Sequence, residues 1–172
     1  MNTEKLICNS NNVTYDKGYI ALWVELAELP STLTFRSDVY NAKSAFHVSL
    51  LCTKRMLTLN KETESKILNL FCDFLESNDL SFQGMTNELR LVVDEVRGRK
   101  SIIAMCRVNN LDVFISQINA EFSLTISLYP THITLYTLGE NMGIGIDSKG
   151  ELQMKSVIVE IPELLEISKG LK

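Results

Sequence analysis

The five residues from 46 to 50 read FHVSL, and those from 131 to 135 read THITL. These two stretches hold both histidines of the chain, His47 and His132, and each histidine is followed by an aliphatic residue, a hydroxyl residue and leucine. Apolar and β-branched residues in such short runs favour strands. Because side chains alternate between the two faces of a strand, His47 shares a face with Ser49, and His132 shares one with Thr134. The sequence therefore predicts two strands that each present an imidazole and a hydroxyl to the same side.

The chemistry of these four side chains suits a phosphodiester. An imidazole titrates near pH 6.5, so one histidine can accept a proton around neutrality while a second one donates a proton. A serine or threonine hydroxyl can donate a hydrogen bond to a phosphate oxygen. No group of carboxylates suited to Mg²⁺ accompanies either histidine in the sequence. The motifs predict acid–base chemistry by His47 and His132, phosphate binding by Ser49 and Thr134, and no metal.

The remaining chain alternates neighbouring strands with single helices. Helices over 60–77 and 110–122 are predicted from apolar positions three and four residues apart, with Asn60 and Asn110 as their caps. Short helices are predicted near 38–44 and over 163–168, and a hairpin turn near 147–150. Strands are predicted over 19–26, 45–53, 89–96, 102–108, 131–138 and a last segment that ends near 161. Strands joined by short turns, with few helices, predict an α+β fold with mostly antiparallel sheet.

Length and composition limit the class of protein. The chain has 172 residues, a net charge of −4 and 45% hydrophobic residues, which fits one globular domain. We expect a flexible lead-in over 1–17 and a single domain over 18–172. No secretory signal or membrane-spanning run is evident, so a cytoplasmic protein without membrane association is predicted. The mild acidity argues against a large nucleic-acid surface.

The four cysteines, at positions 8, 52, 72 and 106, are widely spaced. Their spacing matches neither a zinc site nor a disulfide framework, so we interpret them as buried thiols.

At the two histidine motifs the chain resembles the two-histidine (2H), or LigT-like, phosphoesterases. Their signature is a pair of His-x-Ser/Thr motifs, one in each of two lobes related by pseudo-twofold symmetry, and the likeness spans residues 18–161. The resemblance implies a bilobal α+β domain whose antiparallel sheets line a central cleft, with helices packed outside. It also implies a metal-independent hydrolase, without a cofactor, that acts on 2′,3′-cyclic phosphates, 2′,5′ linkages or RNA ends.

The same resemblance implies roles for individual residues. His47 and His132 would be the acid–base pair, and Ser49 and Thr134 would bind the phosphate. Precedent in the family favours the second histidine as base and the first as acid, although the sequence itself leaves these roles open. A monomer that binds a nucleotide, an oligonucleotide or an RNA terminus is expected.

Several alternatives stand beside this interpretation. Tyr136 would share the face of Thr134 and is a candidate to stack on a nucleotide base, although packing in the core or at its rim is the favoured interpretation. Tyr129, Trp23 and Tyr19 are weaker candidates. The basic residues at 97, 99 and 100 form either a solvated hairpin tip or a guide for RNA phosphates. The stretch 143–145 is interpreted as a strand or turn irregularity and not as a phosphate-binding loop.

Two further hypotheses concern the whole protein. The chain could be a catalytically inactive nucleotide-binding or scaffolding protein with the same fold. It could also be an unrelated α+β domain in which the two histidines never meet.

Overall fold

A ten-stranded antiparallel sheet with four helices makes up the described part of the chain. The computed structural model describes residues 5–8, 10, 12–16, 18–53 and 61–169. The strands are β1 (Lys5–Leu6), β2 (Val13–Asp16), β3 (Tyr19–Val24), β4 (Thr32–Phe35), β5 (Asp38–Ala42), β6 (Phe46–Cys52), β7 (Phe82–Asp94), β8 (Arg99–Val108), β9 (His132–Leu138) and β10 (Ser156–Val159). The helices are α1 (Lys61–Ser77), α2 (Leu111–Phe122), α3 (Lys149–Lys155) and α4 (Pro162–Lys169).

The sheet consists of two halves that meet at the two strands that carry the histidine motifs, β6 and β9. The main path through the sheet is β1-β2-β3-β6-β9-β8-β7-β10, and the hairpin β4–β5 attaches to β9. All the strand pairs among the described residues are antiparallel, and the sheet is not closed into a barrel. The two halves meet where β6 pairs with β9, at Val48 and Ile133. The predicted α+β class with mostly antiparallel sheet is confirmed.

Both motif strands carry an irregularity at the same position of the motif. In β6, the register with β3 shifts so that Ile20 faces Leu51 and Ala21 faces Ser49, which leaves Leu50 as an extra residue. In β9, the register with β8 shifts between Thr134 and Tyr136, which leaves Leu135 as the extra residue. A bulge of this kind interrupts the alternation of side chains along a strand. The residue after each motif hydroxyl is therefore a bulge, and the two halves resemble each other in local backbone as well as in sequence.

The main hydrophobic core lies on the face of the sheet that α1 and α2 cover. Val48 and Ile133, at the junction of the halves, are fully buried in this core. Phe71 of α1 packs edge-on against Phe114 of α2, with ring centroids 4.9 Å apart. Ile67 and Phe74, which belong to the apolar face predicted for α1, are buried in the same core. Alternation along β6 and β9 then directs the histidines and the motif hydroxyls to the other face.

A smaller hydrophobic cluster covers part of that other face. It combines residues of β7 and β8 with the segment after β9 and with α3: Val92, Ile103, Ile144, Ile146 and Leu152. Ile103 is the register partner of Thr134, so the cluster begins directly beside the second motif. Burial of Ile144 and Ile146 fixes the 143–147 segment against the sheet.

Two local predictions are wrong. The helix predicted near 38–44 is instead the hairpin of β4 and β5, which turns at Arg36 and Ser37 with φ angles of 49° and 69°. Left-handed conformations at both turn positions are typical of a two-residue hairpin turn. The sequence did not predict this hairpin because it lacks the Asn-Gly pair that is common at such turns. The hairpin predicted near 147–150 is instead the start of α3, where the Ser148 side chain accepts a hydrogen bond from the amide of Glu151. Consequently β10 pairs with β7 rather than with β9.

The amino-terminal residues also differ from expectation. The predicted flexible lead-in over 1–17 contains β1 and β2, and Val13 of β2 is buried in the core. Cys8 forms a disulfide with Cys72 of α1, so the interpretation of these two cysteines as free thiols is wrong. Cys52 and Cys106 are buried and free, as expected.

The predicted helix caps have different outcomes. Asn110 precedes α2, but its side chain does not cap the helix; it donates a hydrogen bond to the carbonyl of Asp79. Asn60 lies outside the described residues. In the ranges that the structure describes, no helix has both the length and the apolar composition needed to cross a membrane.

Candidate active site

The four motif side chains predicted to act together line one cavity of about 360 Å³. These are His47 and Ser49 from β6 and His132 and Thr134 from β9. They reach it because Val48 and Ile133, between them, turn into the core on the opposite face. Small-molecule sites generally measure about 300–1,000 Å³, so this cavity is at the small end of that range. The two histidines therefore do meet, in contrast to the hypothesis in which they never do.

The register of β6 and β9 arranges the motifs crosswise. Val48 is paired with Ile133, and each of these residues follows a motif histidine. One residue to either side, an antiparallel register places His47 opposite Thr134 and Ser49 opposite His132. Opposed residues of such strands have Cα atoms about 4.5–5.5 Å apart. The Val48–Ile133 pair therefore brings the centres of the two motifs together, and the four polar side chains line the same cavity.

The imidazole of His132 is oriented by the backbone. Its Nδ1 lies 2.9 Å from the carbonyl oxygen of Pro130. A carbonyl only accepts hydrogen bonds, so Nδ1 carries a proton and Nε2 is the nitrogen that gains or loses one. Burial lowers the pKa of His132, while the hydrogen bond to Pro130 raises it and opposes part of that effect.

The imidazole of His47 has different neighbours. Its ring lies against the indole of Trp23, with ring centroids 5.0 Å apart, and Trp23 donates a hydrogen bond of 2.8 Å from Nε1 to Oγ1 of Thr14. Burial lowers the pKa of His47, and the positive charges of Lys43 and of protonated His132 lower it further. All three influences favour the neutral imidazole.

Lys43 is a cavity residue that the sequence did not single out. Its amide donates a hydrogen bond of 2.9 Å to the carbonyl of Leu135, the bulge residue of β9. Its ammonium donates one of 3.0 Å to the carbonyl of Asn141, and burial lowers its pKa. The side chain therefore brings a positive charge to the wall beside His47. The sequence carried no signal for this, because the segment around Lys43 was interpreted as a helix and connection.

The segment after β9 forms another wall. Gly143, Ile144 and Gly145 line the cavity, and the burial of Ile144 holds the segment in place. A Cβ atom at Gly143 would lie 2.9 Å from Oγ1 of Thr134, whereas a Cβ at Gly145 would meet nothing within 4 Å. Gly143 thus allows the backbone to approach the motif hydroxyl closely. The pair of glycines was visible in the sequence, but its contact with Thr134 depends on the tertiary fold.

Tyr136 does not line the cavity, so its candidate role in stacking on a base is wrong and its favoured interpretation as a packed residue is confirmed. The side chain is fully buried in the core, and its hydroxyl donates a hydrogen bond of 2.9 Å to the carbonyl of Pro30. The bulge at Leu135 is the physical reason, because it reverses the alternation that would have kept Tyr136 beside Thr134.

The basic residues of the β7–β8 hairpin lie away from the lining of the cavity. Arg99 pairs with Asp94 at 3.0 Å, and Lys100 pairs with Asp38 at 2.6 Å. Of the three basic residues, Arg97 is the exposed one, while Arg99 and Lys100 are half-buried and held by carboxylates. Arg97 and Arg99 do contribute to a separate groove at that tip.

Comparisons with known proteins add no family assignment. No family model matches this sequence, and neither a curated protein nor a solved structure matches it. Within the described part of the chain, no three histidine, cysteine or acidic side chains are grouped so that they could hold a metal ion.

Proposed function

We propose that this protein is a 2H-type phosphodiesterase that cleaves a small nucleotide or an RNA end, at a 2′,3′-cyclic phosphate or a 2′,5′ linkage, without a metal. The observation that supports this most is the crosswise meeting of the two motifs at the Val48–Ile133 pair, inside one cavity. Two imidazoles and two hydroxyls around a common space match the needs of a phosphoryl group that must be held and attacked in line.

The proposed reaction on a cyclic phosphate is a hydrolysis with two proton transfers. One histidine takes a proton from water, and the water oxygen forms a bond to phosphorus. The bond from phosphorus to one ribose oxygen breaks, and the second histidine gives its proton to that oxygen. Ser49 and Thr134 donate hydrogen bonds to the non-bridging oxygens, where negative charge increases in the transition state.

The surroundings of the two imidazoles suggest which one is the base. His47 lies beside Lys43, whose charge favours the neutral form that a base requires. Burial lowers the pKa of His132 as well, but the Nδ1–H that His132 donates to Pro130 offsets part of this effect, whereas no such contact among the described residues offsets it at His47. We therefore assign His47 as base and His132 as acid for hydrolysis. This is the reverse of the order implied by the family resemblance.

The size and charge of the cavity suggest the kind of substrate. A volume of about 360 Å³ suits one nucleotide better than a long chain. The net charge of −4 also disfavours extended contact with a polyanion. A monomeric cytoplasmic enzyme for nucleotides or short RNA ends is the corresponding proposal.

The test is hydrolysis of nucleoside 2′,3′-cyclic phosphates and 2′,5′-linked oligoadenylate in the presence of EDTA. His47→Ala and His132→Ala should each reduce kcat/KM by about 100-fold or more, the usual contribution of a general acid or base. Ser49→Ala and the nearly isosteric Thr134→Val should mainly weaken binding and transition-state stabilisation. Activity that persists in the double histidine variant, or that disappears with EDTA, would overturn the proposal.

A nucleotide-binding protein without turnover is the second candidate. The observation in its favour is that burial lowers the pKa of both histidines. Two neutral imidazoles at physiological pH could bind a phosphate without supplying the proton that the leaving oxygen needs. Calorimetry separates the candidates: tight binding of a cyclic nucleotide with no product formed between pH 5 and 8 supports the binding protein, and measurable turnover excludes it.

A further inference from the structure

The amino-terminal segment links a disulfide to a wall of the cavity. We use this name for residues 5–8, 10 and 12–16, which include β1 and β2. Between these two strands, Cys8 is bonded to Cys72 of α1, at a sequence separation of 64 residues. At the end of the segment, Thr14 and Asp16 of β2 line the cavity. A covalent bond to α1 therefore lies close in sequence to a wall of the candidate active site.

A closed turn contains Cys8 and leads directly into β2. The amide of Ile7 donates a hydrogen bond of 3.2 Å to the carbonyl of Val13, which closes this turn around Cys8. Within the same turn, the carbonyl of Asn12 accepts a hydrogen bond of 2.7 Å from the amide of Trp23 in β3. A change in the position of Cys8 therefore also acts on the contact between Asn12 and Trp23.

Trp23 connects the amino-terminal segment to His47. Besides the contact of its amide, the indole Nε1 of Trp23 donates a hydrogen bond of 2.8 Å to Oγ1 of Thr14. Trp23 is also the register partner of His47, and the centroids of the two rings are 5.0 Å apart. The segment thus holds Trp23 through two hydrogen bonds, and the indole packs against the imidazole. The position of the His47 ring therefore depends on the position of the segment.

Other contacts hold β2 without the disulfide. Val13 is buried in the main core. The hydroxyl of Tyr15 lies 3.0 Å from Oγ1 of Thr53 and donates a hydrogen bond to the carboxylate of Glu64 in α1. These contacts fix β2 itself, whereas the disulfide fixes the turn before it. Loss of the disulfide should therefore loosen the turn around Cys8 while β2 stays paired with β3.

We propose that this disulfide is a redox-sensitive positioning element of the candidate active site: its reduction displaces Trp23 from His47 and lowers phosphodiesterase activity. This inference rests on the proposed function and adds a form of regulation to it. Cys8 and Cys72 are both partly exposed, so a reductant can reach them.

The reductant is a dithiol, and the reaction is thiol–disulfide exchange. One thiolate of the dithiol attacks a sulfur of the disulfide, and the bond between the two cysteine sulfurs breaks. The second thiolate of the dithiol then displaces the cysteine held in the mixed disulfide. The dithiol is oxidised to its own disulfide, and each cysteine gains one electron and one proton and becomes a thiol.

The experiment compares three folded forms: the oxidised wild type, the wild type reduced with dithiothreitol, and Cys8→Ser/Cys72→Ser. Trp23 fluorescence is titrated between pH 4.5 and 9, and kcat/KM is measured on nucleoside 2′,3′-cyclic phosphates. Quenching by protonated His47 requires contact between the two rings, so the decrease in fluorescence on acidification should be at most about half as large in the last two forms. Their kcat/KM should be about tenfold lower, mainly through kcat, because a misplaced base is no longer aligned with the reacting water.

Ile115→Ala is the control for a general loss of stability. Ile115 is buried in the core on α2, outside the amino-terminal segment, and its truncation destabilises the fold. This variant, or the milder Ile115→Val, should keep the fluorescence amplitude and the kcat of the oxidised wild type. Dithiothreitol should have no effect on the double cysteine variant.

The outcomes separate this inference from the proposed function. An unchanged fluorescence amplitude or kcat/KM in the reduced form, or an equal loss in Ile115→Ala, would overturn the positioning role and leave the phosphodiesterase intact. If the oxidised wild type hydrolyses no substrate, the proposed function fails and the fluorescence amplitude alone decides this inference. If the reduced form does not fold, Thr14→Val decides, since it keeps the disulfide but removes the acceptor of the indole N–H. A smaller amplitude in Thr14→Val supports the path through Trp23, and a full amplitude overturns it.

Discussion

The imidazole of His47 lies against the indole of Trp23, with 5.0 Å between the ring centroids. Trp23 is the single tryptophan of the chain, so tryptophan fluorescence reports on the surroundings of this one indole, which include His47. A protonated imidazole quenches a neighbouring indole more strongly than a neutral one does. Since burial and the charge of Lys43 lower the pKa of His47, we expect fluorescence to decrease on acidification with a midpoint below pH 6.5.

The control for this titration is His47→Gln, which keeps a polar side chain of similar size beside Trp23 but has no group that titrates in this range. The transition should disappear in this variant and remain in His132→Gln. A midpoint at or above pH 6.5 in the wild type would contradict the described surroundings of His47.

The pH dependence of activity should follow from both imidazoles. The pH profile of kcat/KM reports the pKa values of the acid and the base in the free enzyme. Activity requires the base to be neutral and the acid to be protonated. Burial lowers the pKa of both histidines from the ordinary value of 6.5, so the optimum should lie below pH 6.5. A monotonic profile between pH 4.5 and 9 would speak against an acid–base pair.

Lys43→Met should identify which histidine is the base. Loss of the ammonium removes an influence that lowers the pKa of His47, so that pKa should rise. If His47 is the base, the acid limb of the kcat/KM profile moves to higher pH while the alkaline limb stays. The loss of a charged donor near the phosphate should also reduce the maximum about tenfold or more.

The matched control is Lys66→Met, which removes an equally flexible but exposed lysine of α1. It should leave both limbs in place. Movement of the alkaline limb in Lys43→Met would instead assign His47 as the acid and reverse the roles proposed above.

Gly143→Ala tests the close approach of the Gly143 backbone to the hydroxyl of Thr134. A Cβ there would lie 2.9 Å from Oγ1 of Thr134 and would have to rotate or displace that hydroxyl. We expect kcat/KM to decrease about tenfold, the usual effect of losing one hydrogen bond to a charged group, with little change in the thermal midpoint. Gly145→Ala, on the same segment but with no atom within 4 Å of the added Cβ, should retain full activity. Equal losses in the two variants would contradict this role for Gly143.

The sequence could predict those parts of the site that depend on local alternation. His47 and Ser49, like His132 and Thr134, are two residues apart on strands, and the aliphatic residues between them turn into the core as expected. The candidate stacking role of Tyr136 failed because the bulge at Leu135 depends on pairing with β8, which no local pattern reveals.

The other missed features depend on contacts between distant segments. Lys43 reaches the cavity through hydrogen bonds to Leu135 and Asn141. Gly143 acquires its importance from its close approach to Thr134. A single sequence shows the residue types at such positions but not which of them share a wall of one cavity.

The disulfide between Cys8 and Cys72 should be a large contributor to stability. It closes a loop with a sequence separation of 64 residues, for which the chain-entropy estimate is about 4 kcal/mol of unfolding free energy. Urea denaturation of the oxidised wild type, the reduced wild type and Cys8→Ser/Cys72→Ser measures this directly. The last two should unfold at similar, lower urea concentrations, and dithiothreitol should not affect the double variant. Equal midpoints in all three would show that the pair does not stabilise the fold. Because disulfides are rare in the reducing cytoplasm, the state of this pair in cells also bears on the predicted location.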